Sequence, residues 1–219
     1  MHMYTKSQLS KILGSAFLLQ FVTSFSSGVL LRPLWYNADD LEGTFNHISA
    51  NPGLIYGNIL LDLITTFGVT FLGVALYQAL KKHNATMAMT GMAFYILEGA
   101  FITVSQVITF SLVPISQGIT AGNQMIILAG ISFKMLDYVG SAFHMLAFCS
   151  GAIILYSLLY RSKIVPAAFS LWGLISMLPL CVGTLTGFFD THIPFYLYAP
   201  YIPFELAIGT WILIKGLRE

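Results

Sequence analysis

Five ionisable side chains, Asp62, Glu98, Asp137, His144 and Glu205, sit within stretches that are otherwise apolar. An ionisable group at the centre of a bilayer costs about 2.5 kcal/mol or more, so it faces a partner or a water-filled cavity. A carboxylate there can hold a proton or a cation, and carboxylates joined by an imidazole suit zinc, iron or manganese. Glu98, His144 and Glu205 are therefore both the leading candidates for ligand binding and the candidate metal set. Asp62, Asp137, Ser141 and Tyr95 stand beside them as further ligand-binding candidates. The metalloprotease HExxH, the GxSxG elbow, the Walker loop and the glycine-rich dinucleotide fingerprint are all missing. No lysine falls mid-span for a Schiff base, and His144 is the single histidine within a span, too few for bis-histidine haem. These patterns assign neither a catalytic residue nor a cofactor.

Helical spacing groups the polar residues. Asp137, Ser141 and His144 fall at i, i+4 and i+7, one face of a helix, and Asn58, Asp62 and Thr65 repeat that spacing. Glu98 and Ser105 share a face, with Tyr95 one turn before Glu98, and Gln20, Thr23, Ser24 and Ser27 make the outer half of the first span polar. At 1.5 Å per residue, Glu205 is ten residues from Lys215 and so about 15 Å deep. The same count puts Glu98 at about 21 Å, His144 at about 25 Å and Asp62 at about 28 Å from the basic ends of their helices. The stripes are expected to line one cavity that opens outward and narrows toward Glu205, with Glu98, His144 and Glu205 approaching one another. Each residue also has a purely structural account. Glu98 and Glu205 can be protonated donors between helices, His144 can donate to a carbonyl, and Asp62 can bind water at the outer edge. Asp137 can pair with Lys134 at i, i+3. Gly68, Gly73, Gly91, Gly99, Gly140 and Gly151 read as helix-packing positions.

The elements that would position these residues are membrane helices. The 219-residue chain is 57% hydrophobic and 9% charged, against about 25% charged in soluble domains. No polar stretch is long enough to fold separately in water, so residues 1–219 read as a single transmembrane domain. A net charge of +1, with basic residues only in short clusters, argues against a nucleic-acid partner and leaves membrane lipids. Cys149 and Cys181 lie in apolar segments and read as buried inert thiols. The N-terminus imitates a signal peptide, with Lys6, Lys11 and a small-x-small Ser24-Phe25-Ser26. Its apolar run continues to Leu31, which favours an uncleaved first helix.

Six segments approach or exceed the roughly 20 residues that cross the hydrocarbon core, near 8–31, 53–80, 86–113, 136–160, 165–188 and 195–216. Asn51-Pro52 opens the second, Thr86 is placed to cap the third, and Pro166 suits the first turn of the fifth. Eight basic residues (Lys6, Lys11, Lys81, Lys82, Arg161, Lys163, Lys215, Arg218) fall on the side of the termini. Arg32 stands on the other side, among Asp39, Asp40, Glu42 and Asp190, and Lys134 lies near the outer boundary. By the positive-inside rule both termini are cytoplasmic and the protein belongs to the plasma or inner membrane. Asn37 is placed to cap a short helix over 38–49 on the outer surface, with Leu41, Phe45 and Ile48 as its shielded stripe and Asp40 and His47 in water. The stretch from Asn123 to Tyr160 would run to roughly 57 Å as one helix. A break near Lys134 is therefore expected, leaving 124–133 as a short interfacial or re-entrant piece. Trp35, Tyr36, Tyr196, Tyr198 and Tyr201 read as an aromatic belt. Pro200 and Pro203 before Glu205, and Pro179 in the fifth span, are expected to kink their helices.

Several local phrases resemble a family of bacterial six-helix membrane proteins catalogued as domain of unknown function 4386. They are the exit of the fourth span from Ser157 to Pro166 (SLLYRSKIVP), then Leu171-Trp172-Gly173, and the terminal stretch from Pro203 to Gly216 (PFELAIGTWILIKG). Tyr95-Ile96-Leu97-Glu98 is similar to an acid-bearing stretch of that family's third helix. The likeness covers nearly the whole chain. It implies an integral membrane protein, adds weight to Glu98 and Glu205, and supplies no activity.

The fold expected is an all-α membrane protein, a six-transmembrane-helix bundle with short interfacial helices on the outer side. The function expected is binding or transport of a small ligand (a cation, a proton, or a small amphiphile or lipid) in an outward-facing polar pocket. Two alternatives stand beside it: a membrane-embedded metal-dependent enzyme, and a structural or partner-binding protein with no site. Oligomeric state is not legible.

Overall fold

The computed structural model describes residues 4–37, 40–118, 123–187, 196 and 199–218, and every regular element among them is helical. The α-helices are α1 (Lys6–Phe25), α2 (Leu41–Ala50), α3 (Pro52–Leu80), α4 (Ala85–Gly118), α5 (Asn123–Asp137), α6 (His144–Ser162), α7 (Ala167–Gly187) and α8 (Ile202–Lys215). A π-turn over Ser26–Leu31 extends α1 into a short 3₁₀ stretch, Arg32–Leu34, and a second π-turn over Tyr138–Phe143 joins α5 to α6.

Among the described residues five runs are long and apolar enough to span a bilayer: Lys6–Leu34, Pro52–Leu80, Ala85–Gly118, Ile127–Ser162 and Ala167–Thr186. The chain is thus a multi-pass membrane protein whose outward side chains meet lipid. Phe67, Val107, Leu178 and Ile214 are each about two-thirds or more exposed, as lipid-facing residues should be. The sixth expected span, 195–216, begins as a helix at Ile202, and its fourteen described residues are fewer than a full crossing needs. Asp39, Asp190 and Tyr198 fall outside the described residues.

Helix neighbours run α8, α1, α3, α4, α6, α7, and α7 returns to touch α8. This ring closes around a core of Leu13, Phe17, Leu72, Leu76, Tyr95, Leu155, Tyr156, Phe204 and Ile208. Small residues let the helices approach closely. A Cβ added at Gly14 would stand 2.8 Å from the Leu213 backbone nitrogen, which pins α1 on α8, and one at Gly151 would stand 2.7 Å from Tyr95 Cδ2, which pins α6 on α4. A second core joins α2 to the ends of α4 and α5 through Trp35, Phe45, Ile48, Leu112 and Phe133. There Phe133 meets both Phe45 and Tyr36, at 5.0 and 5.2 Å between ring centroids.

Several boundaries differ from the sequence reading. The short helix between the first two spans exists but starts later. Asp40, not Asn37, caps it by accepting from the Gly43 amide at 2.8 Å, while the Asn37 backbone binds the Thr44 hydroxyl. Phe45 and Ile48 are buried and Asp40 and His47 exposed as expected, but Leu41 is 41% exposed because the buried face turns through Thr44. Asn84, not Thr86, caps α4, its side-chain oxygen accepting from the Met87 amide at 3.0 Å. No break occurs at Lys134. The run from Ile127 to Ser162 is one helical run of 36 residues, longer than a crossing needs, whose irregularity is the π-turn at Tyr138–Phe143 and whose first part packs under α2. Pro200 and Pro203 do not kink a helix. Pro203 lies in the first turn of α8, where its missing amide costs no hydrogen bond. The Pro200 carbonyl accepts from Trp172 Nε1 at 2.9 Å and from Ser176 Oγ at 3.3 Å.

Candidate functional site

Two adjoining cavities lie inside the ring. The larger, about 350 Å³, is walled by Phe21, Phe25, Val29, Met145, Phe148, Leu180 and Ile202 and carries Gln20, Glu98, Ser141, His144, Tyr201 and Glu205. The smaller, about 170 Å³, is lined by Ser27, Trp35, Asn58, Asp62, Ser105, Gln106 and Thr109. Arg32, Gly28, Thr65, Gly140 and His144 border both. The two π-turns supply Gly28 on one side and Gly140 on the other. A wide turn pushes one residue out of helical register, and such turns recur at functional sites. A Cβ at Gly28 would meet nothing within 4 Å, so this glycine faces open space.

Beside the larger cavity two hydrogen bonds link Tyr156, Tyr201 and Glu205 in a row. Tyr201, at the N-cap of α8, donates to Glu205 Oε1 at 2.8 Å, and the Tyr156 and Tyr201 hydroxyls are 2.7 Å apart. Tyr201 has one proton and gives it to Glu205, so Tyr156 is the donor between the two hydroxyls. Glu205 sits in the first turn of α8, where the helix dipole favours an acid. Glu98 reaches the same cavity from α4. Both are buried, at 4% and 5% exposure.

The smaller cavity holds a separate network. Asp62 accepts from the Ser27 hydroxyl and, at 3.1 Å, from Asn58 Nδ2, which also lies 2.7 Å from Ser27 Oγ. Trp35 Nε1 donates to Asn58 Oδ1 at 2.9 Å. Thr65 and Thr23 join α3 to α1 at 2.8 Å. Above both cavities Arg32 pairs with Asp137 at 3.8 Å and lies 5.0 Å over the Tyr36 ring. Burial raises the Tyr36 phenol above its ordinary value, the Asp137 charge raises it further, and Arg32 opposes both.

The candidates therefore divide. Glu98, Ser141, His144 and Glu205 line one cavity; Asp62 lines the other, with His144 common to both. Asp137 stands on the rim, about half exposed, in its ion pair with Arg32. Tyr95 is buried behind the wall, its ring 6.1 Å from Phe148. Among the described residues no three His, Cys, Asp or Glu side chains come close enough to hold a metal ion, so the metal set does not assemble. Cys149 and Cys181 are free thiols, the first buried and the second half-buried.

Three participants were misread from sequence. Tyr201 and Trp35, assigned to an aromatic belt, are 7% and 3% exposed and hydrogen-bond into the cavities. Arg32, taken as an outer loop residue, borders both. The signal for Tyr201 was its i, i+4 spacing to Glu205.

Some buried polar atoms have no partner among the described residues. They are Gln20 Oε1, Tyr95 Oη, Glu98 Oε2, Gln106 Oε1, His144 Nδ1 and Ser170 Oγ. The Gly140 carbonyl lies near the His144 ring without good hydrogen-bond geometry. Four of these six side chains, Gln20, Glu98, Gln106 and His144, line the two cavities.

Residues 12–216 match the family model described as Domain of unknown function (DUF4386). No curated protein and no solved structure matches the chain.

Proposed function

The chain belongs to the DUF4386 family, whose description names no activity, and we propose from the geometry of its cavities that it binds a small ligand inside the membrane. The observation that carries this reading is that side chains bearing partnerless buried polar atoms gather around the cavities. A buried polar group without a partner costs about 1–3 kcal/mol, and native proteins keep few of them. Here four such side chains, Gln20, Glu98, Gln106 and His144, belong to the residues that line the two cavities, so a ligand with complementary groups would meet these partners within a side-chain rotation. The larger cavity pairs an apolar wall with a few convergent polar groups, the usual make-up of a small-molecule site.

In this reading Glu98, His144, Glu205 and Ser141 contact the ligand in the larger cavity. Asp62 sets the polarity of the smaller one, Asp137 positions Arg32 at the rim, and Tyr95 backs the wall. The whole of residues 1–219 acts as one six-span domain, with α8 completing the sixth crossing. Both termini are cytoplasmic, supported by the eight basic residues on that side, and the cavity opens to the outer face. Native mass spectrometry of the detergent-extracted protein tests the reading. The expected result is a bound small molecule that is lost in Ser141→Trp, which fills the cavity. An identical, ligand-free mass for both proteins in every mild detergent would refute it.

A further inference from the structure

The larger cavity also carries information on what kind of ligand it takes, and this inference rests on reading it as a ligand site. We propose that the ligand is an organic ammonium: a small apolar body bearing a protonated amine, its head between Glu98 and Glu205 and its body against Phe21, Phe25 and Phe148.

Charge is the first argument. Glu98 and Glu205 are buried acids from two different helices, and both line the cavity. Arg32 is the sole lysine or arginine among the residues lining either cavity, and it is already held by Asp137 at 3.8 Å and the Tyr36 ring. The two acids therefore have no free lysine or arginine beside them among the described residues, and a buried carboxylate without a cation is strongly disfavoured.

Donor and acceptor counting is the second. Glu98 Oε2 and Gln20 Oε1 are buried acceptors with no donor among the described residues. Glu205 takes the Tyr201 hydroxyl on Oε1 and no described side chain donates to its other oxygen. An alkylammonium carries three donors and no acceptor, which matches Glu98, Glu205 and Gln20. A proton alone would neutralise an acid but leave the Gln20 acceptor and the apolar wall unused.

The wall is the third. Phe21, Phe25 and Phe148 offer aromatic and hydrocarbon surface, which favours an organic cation over a bare ion that needs a shell of oxygens. A zwitterion would need a second free cation on the protein, and Arg32 is engaged.

The test uses the full chain, purified in detergent, and three probes that share one apolar body: cyclohexylamine, cyclohexanol and cyclohexanecarboxylate at neutral pH. Thermal unfolding with each probe in turn should show stabilisation that saturates with cyclohexylamine alone. Glu98→Gln should weaken amine binding about tenfold to a hundredfold, the loss of one charge-assisted hydrogen bond. Gln20→Leu, a second variant in case Glu98→Gln fails to fold, should weaken it several-fold. Equal stabilisation by the alcohol would overturn the ammonium while leaving a ligand pocket in place. Preference for the carboxylate, no response to the amine, or undiminished amine binding in both variants would each overturn the proposal as well. The mass measurement above separately judges whether any ligand binds.

Discussion

Replacing Tyr201 with phenylalanine should destabilise the protein more than replacing Tyr156, although both remove one hydroxyl. Tyr201 is the middle of the chain, giving its proton to Glu205 at 2.8 Å and receiving from Tyr156 at 2.7 Å. Tyr201→Phe removes both bonds and leaves the Tyr156 hydroxyl and a Glu205 oxygen buried without partners. A neutral hydrogen bond contributes about 1 kcal/mol and an orphaned buried group costs about 1–3 kcal/mol, so the expected loss is roughly 2–4 kcal/mol. Tyr156→Phe leaves the Tyr201–Glu205 bond intact and should cost about 1 kcal/mol. In the double variant no Tyr156 hydroxyl remains to be orphaned. The combined loss should therefore fall short of the sum by about 1 kcal/mol or more. Reversible unfolding in mixed micelles, scored as a double-mutant cycle, reads all three values. Strictly additive losses, or a larger loss for Tyr156→Phe, would refute the linked chain and its donor order.

Three further outcomes follow from the packing and the rim. Phe45→Ala should destabilise by roughly 3 kcal/mol because Phe45 is 5% exposed against Phe133, while Leu41→Ala, at 41% exposure, should stay within about 0.5 kcal/mol; equal losses in unfolding measurements would contradict the orientation of α2. Gly14→Ala should cost about 1–3 kcal/mol, since its Cβ would meet the Leu213 backbone at 2.8 Å and force α1 from α8, and a neutral melt would contradict that contact. Tyr36 should titrate above its ordinary value of 10, so its protonated form stabilises the fold below pH 10 and that contribution is lost as pH rises through the folded value. Asp137→Asn should bring the Tyr36 titration down in ultraviolet absorbance, and an unchanged midpoint would show that Asp137 does not act on it.

The polar stripes were legible because a helix repeats every 3.6 residues, so Asp62 with Asn58, and Ser141 with His144, could be placed together before any coordinates. The membrane class was legible because a crossing needs about 20 apolar residues in a row and the chain is only 9% charged. The two π-turns were not legible. Nothing in the composition of Ser26–Leu31 or Tyr138–Phe143 announces a residue pushed out of register, yet these turns bring Gly28 and Gly140 to the cavities. Length alone argued for a break near Lys134, because a sequence does not reveal that α2 packs over Phe133 and supports a longer helix. Tyrosine and tryptophan near span ends suit an interface on average. Tyr201 and Trp35 depart from it because each has a buried acceptor within reach, Glu205 and Asn58. Asp62 and Glu98 were placed around a single cavity, but the Ser27–Asn58–Asp62 network gives Asp62 a pocket of its own.

The central claim, an outward-opening pocket within the membrane bundle, is tested most directly by thiol accessibility at Ser141 in intact cells. With the free thiols removed as Cys149→Ala and Cys181→Ala, Ser141→Cys should react with a membrane-impermeant maleimide added outside, while Lys82→Cys should react only after the membrane is opened. Reaction of Ser141→Cys only from the cytoplasmic side, or from neither side in the folded protein, would contradict the account.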